Sequence, residues 1–174
     1  MKLQTTLSAL ALAAVGFAAV PAQAATPCAI TDISPNAEAC AGFFDGNLLS
    51  GSPTDIAAQT AALGTLGFSW DGDWNAVDKI SGLGGSHTVD FATLLQGVSY
   101  VAFHFGNGQG GPGNATAFYR LDAGAGLDTI TLNYNASSNA VLYSTTPVPE
   151  PETYALMLAG LVGVGFMARR RKIT

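Results

Sequence analysis

A short acidic segment is the first place in the sequence where neighbouring side chains could perform chemistry. Asp71, Asp73 and Asn75 occupy alternate positions, and Asp78 follows them. Carboxylate and amide oxygens at alternate positions are typical of the first half of a calcium-binding loop. An EF-hand also needs a glycine at its sixth position and a bidentate glutamate at its twelfth, and this segment has neither. We therefore predict a solvated turn between strands and no metal, with a looser calcium site as the alternative.

Two histidines and an acid offer a second possible chemistry. A hydrolytic triad needs a nucleophile, a base and an orienting group in contact, and His87, Asp90 and His104 with the chain's serines could supply them. The sequence has no Gly-x-Ser-x-Gly elbow, and the two histidines lack the local spacing of zinc ligands. His104 also lies among aromatic residues in a predicted strand, which is typical of a packed or half-buried histidine. We predict no catalytic residue and no cofactor.

Aromatic side chains could bind sugar rings by stacking, with polar groups alongside for the hydroxyls. Six residues have this potential: Trp70, Trp74, Tyr100, Tyr119, Tyr134 and Tyr143. Trp74, inside the acidic segment, is the best single candidate, whereas Trp70 is more typical of a core. The glycine-rich residues 106–114 lack the Gly-Lys-Ser/Thr sequence of a phosphate-binding loop and predict a flexible surface loop.

The N-terminus has the features of a secretory signal peptide. Lys2 gives a positive start, residues 7–20 are apolar, and Ala22-Gln23-Ala24 forms a small-x-small cleavage site. We predict a signal peptide over residues 1–24, with an N-terminal membrane anchor as the alternative.

The C-terminus combines a rigid spacer, an apolar segment and a basic end. Prolines 147, 149 and 151 favour extended backbone. Residues 154–168 carry no charged side chain, but as a helix they would span only about 22 Å of a hydrocarbon core of about 30 Å. The basic residues that follow would hold the end on the cytoplasmic side of a membrane; they are Arg169, Arg170, Arg171 and Lys172. An ordinary short membrane anchor is the alternative to a sorting signal.

This tail resembles the PEP-CTERM sorting signal of Gram-negative bacteria. Pro149, Glu150 and Pro151, the apolar segment and the basic end are all present in the order of that family. The resemblance implies exosortase as a partner that cleaves near the Pro-Glu-Pro motif, the inner membrane as a transient anchor, and delivery to the cell surface or extracellular matrix. The same tail is also labelled the C-terminal domain of ice-binding proteins, a label that concerns the tail alone.

The part of the chain between the two targeting segments is acidic. Residues 25–148 contain two basic and ten acidic residues, which gives a formal charge of −8. A body with this charge repels nucleic acid and anionic lipid. We predict no nucleic-acid partner.

Cys28 and Cys40 are the only cysteines, and both lie in the part predicted to be exported. An even count in an oxidising compartment favours a disulfide, which in the chain-entropy model would stabilise the fold by roughly 3 kcal/mol. A metal site is the alternative, but two cysteines alone do not supply four ligands.

Most of the body predicts β-strands separated by glycine- and aspartate-rich turns. Ser52, Pro53 and Asp55 are typical of a helix start, so we predict a short helix over residues 56–63 that ends at Gly64. The strand candidates that follow are residues 67–70, 76–81, 86–91, 99–105, 115–121, 128–134 and 140–144. Short strands at this spacing predict a mainly β domain, an antiparallel β-sandwich or jelly roll, over residues 25–146.

Together with the resemblance, these observations predict an exported, non-enzymatic cell-surface or matrix protein. Its tail would cover residues 147–174, with a transmembrane helix over residues 154–168 and a basic stop over residues 169–172. Two other functions stay open. One is a carbohydrate-binding module of an exopolysaccharide matrix, and the other is a secreted hydrolase.

Overall fold

A computed structural model describes residues 24–106, 111–146 and 157–162 of the chain. The predicted signal peptide, apart from Ala24, and most of the predicted tail lie outside these residues. The strands of the body are β1 (Ala24–Thr26), β2 (Ile33–Ser34), β3 (Ala39–Asp45), β4 (Asp78–Ser81), β5 (Thr88–Leu95), β6 (Val98–Phe105), β7 (Ala115–Asp122), β8 (Leu127–Leu132) and β9 (Ala136–Thr145). A helix, α1 (Pro53–Thr65), lies between β3 and β4.

The strands form two antiparallel sheets. The larger sheet has the order β1-β3-β7-β6-β9-β4, and the smaller has the order β2-β8-β5. The prediction of a mainly β, antiparallel fold with one short helix in the body is confirmed, and the two sheets share a core as in a sandwich. Six and three strands differ from a jelly roll, which divides eight strands between two sheets.

The core between the two sheets follows from alternating side chains. On β6, Val101, Phe103 and Phe105 face the smaller sheet and are fully buried. Val89 and Ile130 meet them from the smaller sheet. The outward side of the smaller sheet carries mostly polar residues, among them Thr88, Asp90 and Thr131, which is the usual pattern of an antiparallel sheet with one solvated face.

The other face of the larger sheet is also covered. Ala102 of β6 and Phe118 of β7 pack there against Leu63 of α1 and against Leu49 and Trp70 from the connecting loops. The larger sheet is therefore the middle of three layers. This explains why β6 and β7 are mostly apolar on both faces, since both faces of these strands are largely buried.

Local signals fix both ends of α1. The Ser52 hydroxyl accepts a hydrogen bond from the Asp55 N–H at 3.2 Å, and Pro53 opens the first turn. The helix passes the predicted stop at Gly64 and ends in a Schellman motif, in which the Phe68 N–H bonds to the Leu63 carbonyl. Gly67 supplies the left-handed residue of that motif, at φ +85°. The prediction of a strand over residues 67–70 is therefore wrong, because this backbone closes the helix.

The strands before α1 were not predicted, and β3 shows why. Ala41 is paired with Phe118, and Phe44 with Thr116, so β3 has one residue more than its partner in this interval. The resulting bulge directs Phe43 into the core between the sheets and both Ala41 and Phe44 to the opposite face. A period-two pattern cannot be recognised across such an insertion.

The predicted disulfide is present. Cys28 and Cys40 are bonded, with Cα atoms 6.2 Å apart. The bond ties the segment before β2 to the start of β3. Beneath this segment, the Tyr119 hydroxyl donates to the buried Asp32 carboxylate at 3.2 Å. Burial, and next the Asp32 charge, raises the pKa of Tyr119 far above its ordinary range.

Candidate functional site

The acidic segment forms local turns in the structure. The Asp71 carboxylate accepts the Asp73 N–H at 3.0 Å, and the Asp73 carboxylate accepts the Asn75 N–H at 2.9 Å. Asp78 instead accepts the Thr93 N–H from β5. Within the described part of the chain, no three His, Cys, Asp or Glu side chains are grouped closely enough to hold a metal ion.

The three residues considered for a hydrolytic triad are not brought together. His87 precedes β5, is exposed, and contacts the Leu132 carbonyl through Nδ1 at 2.9 Å. Asp90 is exposed on β5 of the smaller sheet. His104 lies on β6 of the larger sheet and is buried. The expectation of a packed histidine in a strand is confirmed for His104.

His104 is nevertheless the centre of a polar cluster. Its Nδ1 lies 2.9 Å from the Ser138 hydroxyl, and its Nε2 lies 2.8 Å from Asn114 Oδ1. With Asn114 Oδ1 as the acceptor at Nε2, the tautomer protonated at Nε2 fits these contacts and assigns Nδ1 as the acceptor from the serine hydroxyl. This chain of hydroxyl, imidazole and amide has the connectivity of a nucleophile, a base and an orienting group. It also links strands β6 and β9 to the residue that precedes β7.

A bulge in β9 places Ser138 against the imidazole. Phe103 pairs with Ala140 and Phe105 pairs with Ala136, so β9 advances by four residues over the interval in which β6 advances by two. In a regular ladder, Ser138 would lie opposite Phe105. The insertion moves it to His104, which illustrates how a bulge redirects a side chain.

A second network fixes the loop between β3 and α1 beside this cluster. The fully buried Thr116 hydroxyl donates to the Gly46 carbonyl at 2.7 Å and accepts the Leu48 N–H at 3.0 Å. From α1, the buried Gln59 amide donates to the Leu48 and Ser50 carbonyls at 2.7 and 2.8 Å. Its oxygen accepts the Tyr143 hydroxyl at 2.7 Å. Each polar atom of Gln59 has a partner, so residues 46–50 are held rigidly.

An open cleft of about 260 Å³ lies between this loop and the edge of the larger sheet. Its walls are formed by Leu49, Trp74, Lys79, Ile80, Ser81, Asn139, Ala140 and Val141. Ser81 pairs with Asn139 across β4 and β9, and Lys79 pairs with Val141. The register therefore puts these four side chains on one face of the sheet.

Trp74 is the aromatic residue of the cleft. The Lys79 ammonium lies 4.9 Å from the centre of its ring and donates to its carbonyl at 2.9 Å. Gly51 packs against the indole so closely that a Cβ there would lie 2.6 Å from Cδ1. The cleft thus presents an indole and an ammonium side by side, and Gly51 packs against the indole.

The other aromatic candidates pack within the protein. Trp70, Tyr119 and Tyr143 are buried. Tyr100 stacks on Phe68 with ring centres 4.6 Å apart, and Tyr134 packs edge-on against Phe43. The placement of Trp70 in a core agrees with its prediction. Burial alone raises the pKa of Tyr143 far above its ordinary range.

Few residues of the tail are described. Residues 157–162 are helical, and their large apolar side chains, Met157, Leu158, Leu161 and Val162, are exposed by 59–68%. Among the described residues there is no helix with the length and apolar character needed to cross a membrane.

A comparison with protein families decides the nature of this segment. The family model of the PEP-CTERM protein-sorting motif matches residues 147–172. The protein carries a PEP-CTERM sorting signal. The match includes the predicted cleavage motif, Pro149 to Pro151, and the basic residues 169–172, all of which lie outside the described residues. A PEP-CTERM signal implies an exported protein that is made as a membrane-anchored precursor and processed by exosortase.

The comparisons give no information on the body. No curated protein and no solved structure matches the chain.

Several residues of the two polar regions were not singled out in the sequence. Ser138 and Asn139 lie in the bulge of β9, outside the predicted strand, and no local pattern marks them. Gly51 and Gln59 act through contacts that are distant in sequence. Lys79 had one available signal, since it is one of only two basic residues in the body.

Proposed function

We propose that the protein is a non-enzymatic component of the cell surface or extracellular matrix of a Gram-negative bacterium. It is inserted in the inner membrane by residues 154–168, with the body outside, and is released when exosortase cuts near Pro149-Glu150-Pro151. The observation that carries this proposal is the sorting motif at residues 147–172.

The end of the body is suited to such a cleavage. β9 ends at Thr145, and the Thr146 N–H bonds to the Gln96 and Val98 carbonyls, both at 3.1 Å. The proline-containing spacer begins at the next residue. Cleavage in the spacer therefore removes none of the described strands and none of the described core side chains.

The disulfide and the direction of β9 are further support. A bond between Cys28 and Cys40 is stable in an oxidising compartment outside the cytoplasm. β9 runs from Ala136, beside Phe105, to Thr145, beside Ser99. The last described residues of the body thus lie at the end of the larger sheet opposite to the His104 cluster.

Intact-mass measurement of surface-extracted protein tests the sorting. In a host that has exosortase we expect a species that lacks residues 154–174, and in the same host without the protease we expect the signal-cleaved chain ending at Thr174 in the inner membrane. A surface species that still ends at Thr174 in the exosortase-positive host would make the tail an ordinary anchor.

A truncation after Thr146 tests the domain boundary independently. We expect residues 25–146 to be soluble and to unfold cooperatively, because strands β2 to β9 remain whole and β1 loses only Ala24. An unfolded fragment would show that the spacer belongs to the folded body.

A secreted hydrolase is the second candidate, and the contact of Ser138 with His104 is the observation that favours it. A fluorophosphonate probe reacts with an activated serine. Under the proposed function, the probe does not label the protein. Labelling that is lost in both Ser138→Ala and His104→Ala, and retained in Ser86→Ala, would favour the enzyme instead.

A further inference from the structure

We propose that the cleft between Trp74 and Asn139 binds a single ring of a neutral sugar, as part of a glycan chain. This goes beyond the proposed surface role, which needs no ligand. A volume of about 260 Å³ is below the range of about 300–1,000 Å³ typical of drug-sized ligands, so the cleft suits a smaller, ring-sized group.

The polar groups of the cleft are suited to hydroxyl groups. The Lys79 ammonium has three N–H donors, of which one bonds to the Trp74 carbonyl. Asn139 Nδ2 makes only a long contact of 3.4 Å with the Leu49 carbonyl, and its Oδ1 has no protein partner among the described residues. Ser81 is exposed on β4 directly beside Asn139. Donors and an acceptor thus converge on one face, as adjacent sugar hydroxyls require.

The apolar groups complete the match. The indole of Trp74 and the side chains of Leu49 and Val141 line the same cleft. A pyranose presents apolar C–H groups on its ring faces and hydroxyls at its rim, so its binding site needs both apolar side chains and hydrogen-bonding groups. An amphipathic aromatic side chain is suited to such a half-wet position.

Charge favours a neutral ring over an acidic one. Among the described residues the single ion pair joins Arg120 Nε and Glu38 Oε2 at 3.1 Å, a contact whose angle does not make a hydrogen bond. Lys79 has no such carboxylate partner there, and one unpaired ammonium could hold an isolated anion. A glycan chain, however, meets the field of the whole body, which has ten acidic and two basic residues. That field repels a polyanion.

The cleft is also preorganised, which lowers the entropic cost of binding. Gln59 and Thr116 fix the loop that carries Leu49, and β4 and β9 fix the polar face. Gly51 sets the position of the indole. An alanine there would place its Cβ 2.6 Å from Cδ1 and 3.1 Å from both Cγ and Nε1 of Trp74. Since the φ of Gly51 is not positive, alanine can adopt this backbone, and the indole is what must move.

The test uses the full-length protein in a zwitterionic detergent, because detergents with sugar headgroups would compete. An array of neutral gluco-, manno- and galacto-oligosaccharides is probed beside oligomers of the corresponding uronic acids. Calorimetric titration then gives the Kd of each neutral oligosaccharide that binds. We expect binding to at least one of them and no tighter binding to any uronate.

Variants show whether the cleft is responsible. Asn139→Ala and Gly51→Ala should each weaken binding about fivefold to tenfold, the loss expected for one hydrogen bond or one displaced contact. Thr88→Ala, which removes an exposed hydroxyl on the smaller sheet, should leave the Kd unchanged. Ser81→Ala is the third cleft variant, and because Ser81 lies at an exposed edge position this change should retain the fold. The melting temperature of each variant is measured alongside its Kd.

Absence of binding to every neutral oligosaccharide at millimolar concentration would overturn the inference. So would binding that all three cleft variants leave unchanged, or binding of a uronate more tightly than every neutral oligosaccharide. Sorting is read separately from the mass of the surface species, so loss of the sugar site leaves the proposed function standing.

Discussion

Removal of the disulfide should destabilise the body by an amount that the loop size predicts. Cys28 and Cys40 are separated by 12 positions, and in the chain-entropy model closing a loop of this size restricts the unfolded chain by about 3 kcal/mol. We expect the double variant Cys28→Ser, Cys40→Ser to lose about this free energy of unfolding.

Urea unfolding of residues 25–146 measures the effect. With a denaturant slope of about 2 kcal/mol per molar, the midpoint should fall by about 1.5 M. The slope itself is fitted for each form, because an unfolded chain without the cross-link is more expanded and exposes more surface.

The reduced natural sequence is the matched control. Reductant should lower its midpoint to that of the double variant, and it should leave the midpoint of the double variant unchanged. If oxidised and reduced proteins unfold at the same midpoint, the segment before β3 is held by its own contacts instead, such as the Tyr119–Asp32 hydrogen bond and the Glu38 N–H to the Arg120 carbonyl. The entropic reasoning would then be refuted.

Two further predictions concern buried polar groups. The pKa of the Tyr119 and Tyr143 phenols is raised above the ordinary value of about 10, so above about pH 10 the unfolded chain loses two protons that the folded protein keeps. The free energy of unfolding should be unaffected below that pH and fall by about 2.7 kcal/mol per pH unit above it. Phenolate absorbance followed together with circular dichroism should show that these two tyrosines ionise only when the protein unfolds. Ionisation of either tyrosine in the folded state would contradict the prediction. Thr116→Val should cost about 2–4 kcal/mol in thermal or urea unfolding, because the Gly46 carbonyl and the Leu48 N–H both lose their partner. Thr131→Val, on the exposed face of β8, is the control and should change stability by less than about 0.5 kcal/mol.

Local sequence signals predicted the elements that depend on local interactions. The Ser52-Pro53 start of α1 and the alternation of β6 are visible in the sequence because a cap and a pleat each involve only a few neighbouring residues. The end of α1 was placed at the wrong glycine. Gly64 and Gly67 are both compatible with a helix stop, and the choice between them is made by the packing of Phe68 after the helix.

Strand pairing could not be predicted in this way. β4 lies beside β9, and β3 beside β7, pairs that are separated by long stretches of chain and are chosen by burial of whole faces. The cleft depends on that choice, since Lys79 and Asn139 become neighbours only through the register of β4 and β9. A sequence shows the lysine and the asparagine, but it does not show that they share a face.

Two of the bulges, the one in β3 and the one in β9 at Ser138, connect the failures of prediction with the candidate sites. Each one inserts residues that break the period-two pattern. The sequence therefore did not predict β3, and it predicted β9 to begin only at residue 140, after its bulge. The β9 bulge also delivers Ser138 to His104, while Asn139, beside it, faces the cleft. An irregular backbone forfeits ladder hydrogen bonds, and a fold retains it where the redirected side chains compensate. Both of these bulges lie near the end of the larger sheet where β9 begins, and binding or chemistry should first be sought there.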